Sequence, residues 1–436
     1  MTKNPRALLT TGIDLPGVIA LGLGTAVGVA IFAVIAPASA LAGPGMLLAV
    51  VLAAVPMFII AVTYAFMGSA LPTSGASYEW PRRFIHPAFG FLIAWLRIAG
   101  SVGALLVLAF VMVRYLAMLF AVPTKQTMLV AFALVFGANY LGVTLATRLQ
   151  TILMATLVVL FLIFAVWGAP HIDARNLLPV LPHGWSGVLA AVPLLIGLFF
   201  GIEAATEVGE EVKNGRAIIP LGIAASIVCA VVLYLLVAFV ALGVLGATAL
   251  GTSETPLLDA AAVFMGPIAT PLIVGAAVVA IGKSLNALFL IFSRNLFAMA
   301  RAGALPAPLA RVHTRFGTPH IALSVTFGAC VLGLLLPMNL TSLFLAVNIP
   351  TLLKYASTCI AATRVIQHHP EIYAAASFKL QPRAMLVWAW AGALAALIVV
   401  VLGLQADWGP YAALAVWTVL GVIYYAWLRP RARPAP

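Results

Sequence analysis

The chain has 436 residues, of which 64% are hydrophobic and only 8% are charged, and its mean hydropathy is +1.16. So few charges over this length exclude a soluble globular protein, and repeated apolar runs of about 20 residues are typical of membrane-spanning helices. The formal net charge of +12 comes from basic residues clustered in short alternating loops, which argues against a nucleic-acid partner. We therefore predict an all-α polytopic membrane protein embedded in a lipid bilayer.

Hydropathy, together with the positions of proline and glycine, predicts twelve spans. These are 14–41, 45–70, 88–120, 126–146, 149–168, 187–207, 218–246, 268–300, 320–337, 340–365, 384–404 and 408–428. Of the 23 Lys and Arg residues, 17 would lie on one face: Lys3, Arg6, Arg82, Arg83, Arg148, Lys213, Arg216, Arg294, Arg301, Arg311, Arg315, Arg364, Lys379, Arg383, Arg429, Arg431 and Arg433. Only Lys125 and Arg175 lie in the opposite loops, which predicts a multi-pass inner (plasma) membrane protein with both termini in the cytoplasm.

Spans 1 and 6 are each interrupted by glycines and lie five spans apart, a pattern typical of broken helices in inverted repeats. The predicted organisation is a cytoplasmic N-terminal segment (1–13), a first five-helix repeat (14–168), a second, inverted five-helix repeat (187–365), two additional helices (384–428) and a basic cytoplasmic tail (429–436). No loop is long enough to form a soluble domain.

Span 1 contains three closely spaced glycines, Gly22, Gly24 and Gly28. If the helix unwinds here, the last carbonyls of its first half suit an ammonium group, and the first N–H groups of its second half suit a carboxylate. The predicted substrate contacts are Thr25, Ala26, Val27, Gly28, Val29 and Ala30. The alternative is that these glycines only allow close helix packing.

Span 6 is expected to break at Phe199, Phe200, Gly201 and Ile202, where carbonyls and aromatic rings can meet a substrate. Glu203 follows directly, and a carboxylate inside a span usually faces a cavity and marks a functional site. We expect Glu203 to take and release a proton, although it can instead be paired permanently with an internal base. Glu207 lies nearer the cytoplasmic end, where we expect a gate or cap.

Four ordered motifs resemble the amino acid–polyamine–organocation transporters. They are GIDLPGVIALGLGTAVGVAIF with ALAGPG in and after span 1, LPTSGASYEWPRRFIHPAFGF between spans 2 and 3, GIEAATEVGEEVKNGRAIIPLGI after span 6, and KSLNALFLIFSRNLFAMARAGALP in span 8. The resemblance implies a five-plus-five inverted-repeat fold with broken helices 1 and 6 and two extra helices. It also implies an amino acid or amine substrate held at the two breaks.

Two positions depart from that family's pattern. Gly28, Val29 and Ala30 stand where the family has Gly-Ser/Thr-Gly, and Lys283 stands where it usually has the glycine before Ser-Leu-Asn. In sodium-coupled proteins of this fold, helix 1 carbonyls and helix 8 hydroxyls hold a sodium ion near this level. Lys283, with Ser284 and Asn286 as polar neighbours, is therefore expected to act as a resident cation or a proton carrier; the alternative is a fixed ion pair, and Glu203 is the partner that we expect.

The resulting hypothesis is a secondary active transporter, either a proton-coupled symporter or an exchanger, that moves amino acids or related amines by alternating access. We expect no enzyme activity, cofactor or metal site, and the sequence does not indicate an oligomeric state.

The alternative function is a carrier of organic anions or dicarboxylates. The buried cations Arg97, Lys283 and Lys354 outnumber the carboxylates Glu203 and Glu207, and Arg97 would then contact the substrate. We favour a structural role for Arg97 and Lys354, bonded to carbonyls freed by the breaks. A channel or a non-transporting amino-acid sensor is a further alternative.

Overall fold

A computed structural model of the chain describes residues 9, 11–28, 30–335, 340–403 and 409–428. In these ranges the secondary structure consists of α-helices and short 3-10 turns, with two isolated β-bridges and no strand. The chain is an all-α polytopic membrane protein. An α-helix suits the bilayer because it satisfies its backbone hydrogen bonds internally.

The helices of the first half are α1 (Leu15–Ala26), α2 (Ala30–Ala42), α3 (Met46–Ala70), α4 (Ala76–Phe84), α5 (Pro87–Leu116), α6 (Thr124–Tyr140) and α7 (Val143–Gly168). Those of the second half are α8 (Gly184–Ile196), α9 (Gly215–Leu245), α10 (Ala247–Thr252), α11 (Pro256–Met265), α12 (Ala269–Arg301), α13 (His320–Gly333), α14 (Leu340–His368), α15 (Pro370–Ala375), α16 (Pro382–Gly403) and α17 (Gly409–Leu428). After α8 the chain makes 3-10 turns at Gly197–Phe199, Ala204–Glu207 and Gly209–Glu211 before α9 begins.

In the described ranges, seven helical segments are long and apolar enough to cross a membrane, and shorter apolar helices lie at Leu15–Ala26, His320–Gly333 and Leu414–Trp427. The interruption of span 1 is present, because α1 ends at Ala26 and α2 begins at Ala30. The interruption of span 6 is also present, but its cytoplasmic part is a series of 3-10 turns. The count of twelve spans and the inverted repeat remain predictions.

The boundary between spans 4 and 5 was predicted wrongly. The turn lies at 141–142, and Arg148, which we expected in the loop, is an exposed residue inside α7. The turn falls there because Gly142 has a φ of 138°, a conformation that is open mainly to glycine. Because the residues on both sides of Gly142 are apolar, a hydropathy profile shows no minimum at this turn.

Buried apolar side chains form two large clusters. One is built mainly from α1, α2, α3, α8 and α9, with contributions from α7, α12, α14 and α16. The other is built from α5, α6, α12 and α13. Residues at both helix interruptions belong to the first cluster. Helix α12 contributes side chains to both clusters and so connects the two packing units.

Gly22 lets α1 lie close to α9 and to the interrupted segment after α8. A Cβ at this position would lie 2.5 Å from Ser226 Oγ and 2.8 Å from the Ile202 carbonyl oxygen. The second contact is with backbone, which cannot rotate away. A glycine is therefore required here to bring the two interruptions together.

We predict that Gly22→Ala destabilises the protein by about 1–3 kcal/mol, the usual cost of overpacking a tight site. The measurement is the thermal unfolding midpoint of purified protein in detergent. Gly275→Ala in α12 is the matched control, because a Cβ there meets open space. Equal midpoints for the two variants would contradict this packing account.

Candidate functional site

The α1–α2 interruption frees backbone groups in the middle of the membrane protein. The Val27 N–H still bonds the Leu23 carbonyl (2.7 Å), and the Gly28 N–H bonds the Ala26 carbonyl (2.9 Å). The Gly28 donor that we expected to receive a substrate carboxylate is thus already used within the chain. Val29, another predicted contact, lies outside the described residues.

Lys283 of α12 fills the α1 interruption with its ammonium group. This side chain is fully buried, and its Nζ donates to the carbonyls of Leu23 and Gly24, both at 3.3 Å, and to that of Val27. The adjacent Ser284 hydroxyl donates to the Gly24 carbonyl at 2.6 Å. The Gly24 carbonyl has lost its helical donor, because the Gly28 N–H bonds Ala26 instead, and a carbonyl without a partner in an apolar interior needs another donor. The Leu23 carbonyl keeps its bond from the Val27 N–H and accepts from Lys283 as well.

The expected Lys283–Glu203 ion pair is wrong. Glu203 pairs with Lys354 of α14, and it also accepts a hydrogen bond from the Tyr355 hydroxyl at 3.0 Å. All three side chains are buried. Our preference for carbonyl partners of Lys354 was therefore wrong, because α14 brings Lys354 and Tyr355 against the segment that carries Glu203.

The interruption after α8 is tied to the one after α1. Gly201 has a φ of 97°, and a Cβ there would lie 2.5 Å from Thr25, so only glycine fits. The Thr25 hydroxyl contacts the Gly201 carbonyl, and the Gly201 N–H donates to the Tyr355 hydroxyl at 3.0 Å. Since Tyr355 also binds Glu203, these contacts join α1, α14 and the interrupted segment.

A cavity of about 190 Å³ lies between the two interruptions, α5, α12 and α14. The predicted site residues that line it are Thr25, Ala26, Gly28, Ala30, Arg97, Phe200, Gly201, Glu203 and Ser284. The cavity is smaller than the roughly 300–1,000 Å³ typical of drug-sized ligands, which suits a small molecule. Glu207, Thr351, Lys354 and Tyr355 also line it, although they were not among the predicted contacts.

Other predicted residues lie close to the cavity without lining it. Phe199 packs against Tyr234, and Ile202 is in the apolar core. Of the two adjacent phenylalanines, Phe200 is therefore the one that lines the cavity. Val27 contributes its carbonyl to Lys283 rather than to the cavity. The Phe200 ring packs edge-on against Tyr355, with ring centroids 5.9 Å apart.

Asn286 belongs to a chain of buried amides. It accepts from Asn139 of α6 (2.9 Å) and donates to Gln150 of α7 (3.0 Å), whose amide in turn donates to the Ala20 carbonyl of α1 (3.1 Å). This network fixes α1 next to Lys283. Asn139 and Gln150 were missed in the sequence, although polar residues within apolar spans are a usable signal.

Arg97 and Glu207 are the charged residues in the cavity whose hydrogen bonding is incomplete. Within the described ranges, the buried Nε and Nη1 atoms of Arg97 and the buried Oε1 of Glu207 have no hydrogen-bond partner. The other Glu207 oxygen accepts from the N–H and hydroxyl of Ser77 at 3.2 and 3.1 Å. A buried unpaired polar group is costly and therefore requires a partner or an explanation.

Between the second interruption and α9, two carboxylates of segment 209–214 (sequence GEEVKN) bind arginines of α12. Glu211 and Arg294 are both fully buried and form a bidentate pair at 2.7 and 2.8 Å. Glu210 and Arg301 form a second bidentate pair at 2.7 and 2.6 Å, nearer the surface. Burial opposes ionisation of Glu210, but the hydrogen bonds and charge of Arg301 lower the pKa of this carboxyl below its usual value.

Comparison with known protein families identifies the architecture that holds this site. The model of the amino acid permease family matches residues 13–427, almost the whole chain. The chain belongs to the amino acid permease family. It is thus a permease of the amino acid–polyamine–organocation superfamily, a membrane transporter rather than an enzyme.

Named relatives of this permease are transporters as well. An uncharacterized transporter of Mycobacterium tuberculosis (strain ATCC 25618 / H37Rv) is 33% identical over 329 residues, 74% of this chain and 73% of the relative. The branched-chain amino acid permease of Bacillus subtilis (strain 168) is 27% identical over 431 residues, 93% and 90% of the two chains. The methylthioribose transporter of the same organism is 28% identical over 374 residues, 81% of each chain.

We predict that Lys354→Met destabilises the permease by about 3–5 kcal/mol, because it leaves Glu203 buried without its counter-charge. The measurement is denaturant or thermal unfolding of the purified protein. The double variant Glu203→Gln/Lys354→Met is the control and should recover much of the loss, because it removes both charges. A single variant as stable as wild type would show that the ion pair is not required.

Proposed function

We propose that this permease is a secondary active transporter that moves amino acids or related amines across the plasma membrane by alternating access. Membership of the amino acid permease family supports the substrate class, and a relative named as a branched-chain amino acid permease supports it further. In this proposal both termini are cytoplasmic, as the distribution of basic residues indicates. The transported molecule occupies the cavity between the two interruptions.

The observation that carries the proposal is the position of Lys283 in the α1 interruption. Its ammonium binds the Leu23, Gly24 and Val27 carbonyls, and Ser284 supplies a hydroxyl beside it. Carbonyls of helix 1 and hydroxyls of helix 8 are the groups that hold sodium in sodium-coupled proteins of this fold. A covalently attached cation makes a sodium ion unnecessary, so we propose proton coupling or exchange.

Glu203 is the proton carrier that we propose, with Lys283 as a second candidate. Glu203 lines the cavity and is held between the Lys354 ammonium and the Tyr355 hydroxyl, so its protonation would release Lys354. Tyr355 also binds the Gly201 N–H, so a change at Glu203 reaches the backbone of the interruption directly. Proton binding can therefore bias the conformation of the segment that covers the substrate.

The two apolar clusters support a rocking motion. The cluster that contains α1, α3, α8 and α9 is the moving bundle in this proposal, and α5, α6, α12 and α13 form the scaffold. The Glu211–Arg294 and Glu210–Arg301 pairs join the moving side to α12 and form the cytoplasmic closure. Opening to the cytoplasm would then require these pairs to separate.

A carrier of organic anions or dicarboxylates is the second candidate. The guanidinium of Arg97 supports it, because Arg97 lines the cavity and planar guanidinium groups suit carboxylates. Competition against uptake in proteoliposomes, with neutral, cationic and acidic amino acids, amines and dicarboxylates, separates the candidates. Amino compounds should compete. If only dicarboxylates do, the amino acid assignment is wrong.

We predict that wild-type uptake is equal in sodium and choline buffers, because Lys283 already supplies the cation. Lys283→Ala should lower uptake by about tenfold or more at every pH, since buried hydrogen bonds to a charged group contribute roughly 1.5–3 kcal/mol each. Initial rates in proteoliposomes measure both effects. Lys125→Ala, which changes an exposed lysine, is the control. A strict sodium requirement of the wild type would contradict the resident-cation proposal.

A further inference from the structure

Helix α4 is packed closely against two helices of the proposed scaffold. Gly75, the residue that caps the start of α4, has a φ of 68°, and a Cβ there would lie 2.4 Å from the Ala298 Cβ of α12. In the last turn of α4, the backbone nitrogen of Arg82 lies where a Cβ on Gly90 of α5 would come within 2.5 Å. These close approaches fix α4 to α12 at its start and to α5 at its end.

The cap of α4 comes from another part of the chain. Gly75 has no side chain that accepts from the N–H groups of the first turn, and Glu207, after the second interruption, supplies the acceptor. Its Oε2 accepts from the Ser77 N–H at 3.2 Å and from the Ser77 hydroxyl at 3.1 Å, and both residues are buried. A carboxylate suits this position, because a helix begins with unpaired N–H groups and a positive partial charge.

Backbone contacts extend the link between these two segments. The Gly75 N–H donates to the Glu207 carbonyl at 2.8 Å, and the Gly209 N–H donates to the Thr73 carbonyl at 3.1 Å. We call the contacts between residues 73–77 and 207–210 the α4 junction. Glu210 completes it, because its carboxylate accepts from the backbone of residue 74 at 3.3 Å and also binds an arginine of α12.

The segment on the other side of the α4 junction is bonded to the start of α1. The N–H groups of Gly12 and Ile13 donate to the Glu211 carbonyl at 2.9 and 3.0 Å, and the Lys213 N–H donates to the Ile13 carbonyl at 2.8 Å. In the proposed function α1 belongs to the moving bundle. The α4 junction therefore lies between a segment that moves with α1 and a helix that is fixed to the scaffold.

We propose that Glu207 is a positioning residue that keeps the cytoplasmic side closed by holding Ser77, and that the α4 junction separates when the cavity opens to the cytoplasm. This inference rests on the proposed function, and it adds a third contact to the two carboxylate–arginine pairs of the closure. Of the carboxylates at 207, 210 and 211, Glu207 is the one that lines the cavity. It connects the cavity wall to α4.

The test measures from which side of the membrane the cavity is accessible. Ala104 of α5 lines the cavity, and Ala104→Cys places a thiol there for a membrane-impermeant reagent. The parent protein also carries Cys229→Ser, because Cys229 is the exposed one of the native cysteines. Labelling rates of the full chain are measured in inside-out vesicles for the cytoplasmic side and in right-side-out vesicles for the outer side.

Glu207→Gln should raise the labelling rate from the cytoplasmic side about tenfold and lower the rate from the outer side, because an amide is a weaker acceptor than a carboxylate. Ser77→Ala should act in the same direction. The double variant should change the rates by less than the product of the single effects, since both substitutions weaken one contact. Glu254→Gln, which changes an exposed glutamate, is the matched control and should alter neither rate.

A folded Glu207→Gln variant that is labelled at the parent rates from both sides would overturn the inference. Faster labelling from both sides together would overturn it as well, because that result is expected if Glu207 only stabilises the fold. Thermal unfolding midpoints check folding, and Ser77→Ala decides the question if Glu207→Gln does not fold. If the parent thiol is accessible from one side alone, the proposed alternating access itself is wrong, which is recognised before any variant is compared.

Discussion

The ammonium of Lys283 in the α1 interruption is the contact on which the site depends. An unwound helix in a membrane interior exposes carbonyls that no lipid can satisfy, so the chain must supply donors. Lys283 and Ser284 supply them from α12, and the amide network of Asn286 and Gln150 holds α1 against the same helix. A stable interruption is thus obtained with groups of the chain alone.

The second interruption is satisfied in the same way and is coupled to the first. The Thr25 hydroxyl and the Tyr355 hydroxyl occupy both backbone groups of Gly201, while Glu203 is held by Lys354 and Tyr355. These contacts join the wall of the cavity to Glu203, the carboxylate that we propose as the proton carrier.

The sequence predicted the features that rest on local chemistry. Glycine spacing located both interruptions. The position of Lys283 in its span indicated a place near the helix 1 carbonyls, which its Nζ contacts, while its role as a resident cation stays a prediction. The sequence did not predict partners, because Lys354 reaches Glu203 only through the packing of α14 against a segment 151 residues away in sequence. Phe199 and Phe200 are adjacent and equally apolar, so which ring faces the cavity depends on Tyr234 and Tyr355, which no local pattern specifies.

The central claim is that the Lys283 ammonium satisfies the carbonyls at the α1 interruption and takes the place of a sodium ion. The most direct measurement is an experimental structure of the wild-type permease determined in sodium buffer. The account predicts Lys283 Nζ bound to the Leu23, Gly24 and Val27 carbonyls, with no sodium ion on them. A sodium ion held by these carbonyls, with Lys283 turned away, would contradict it.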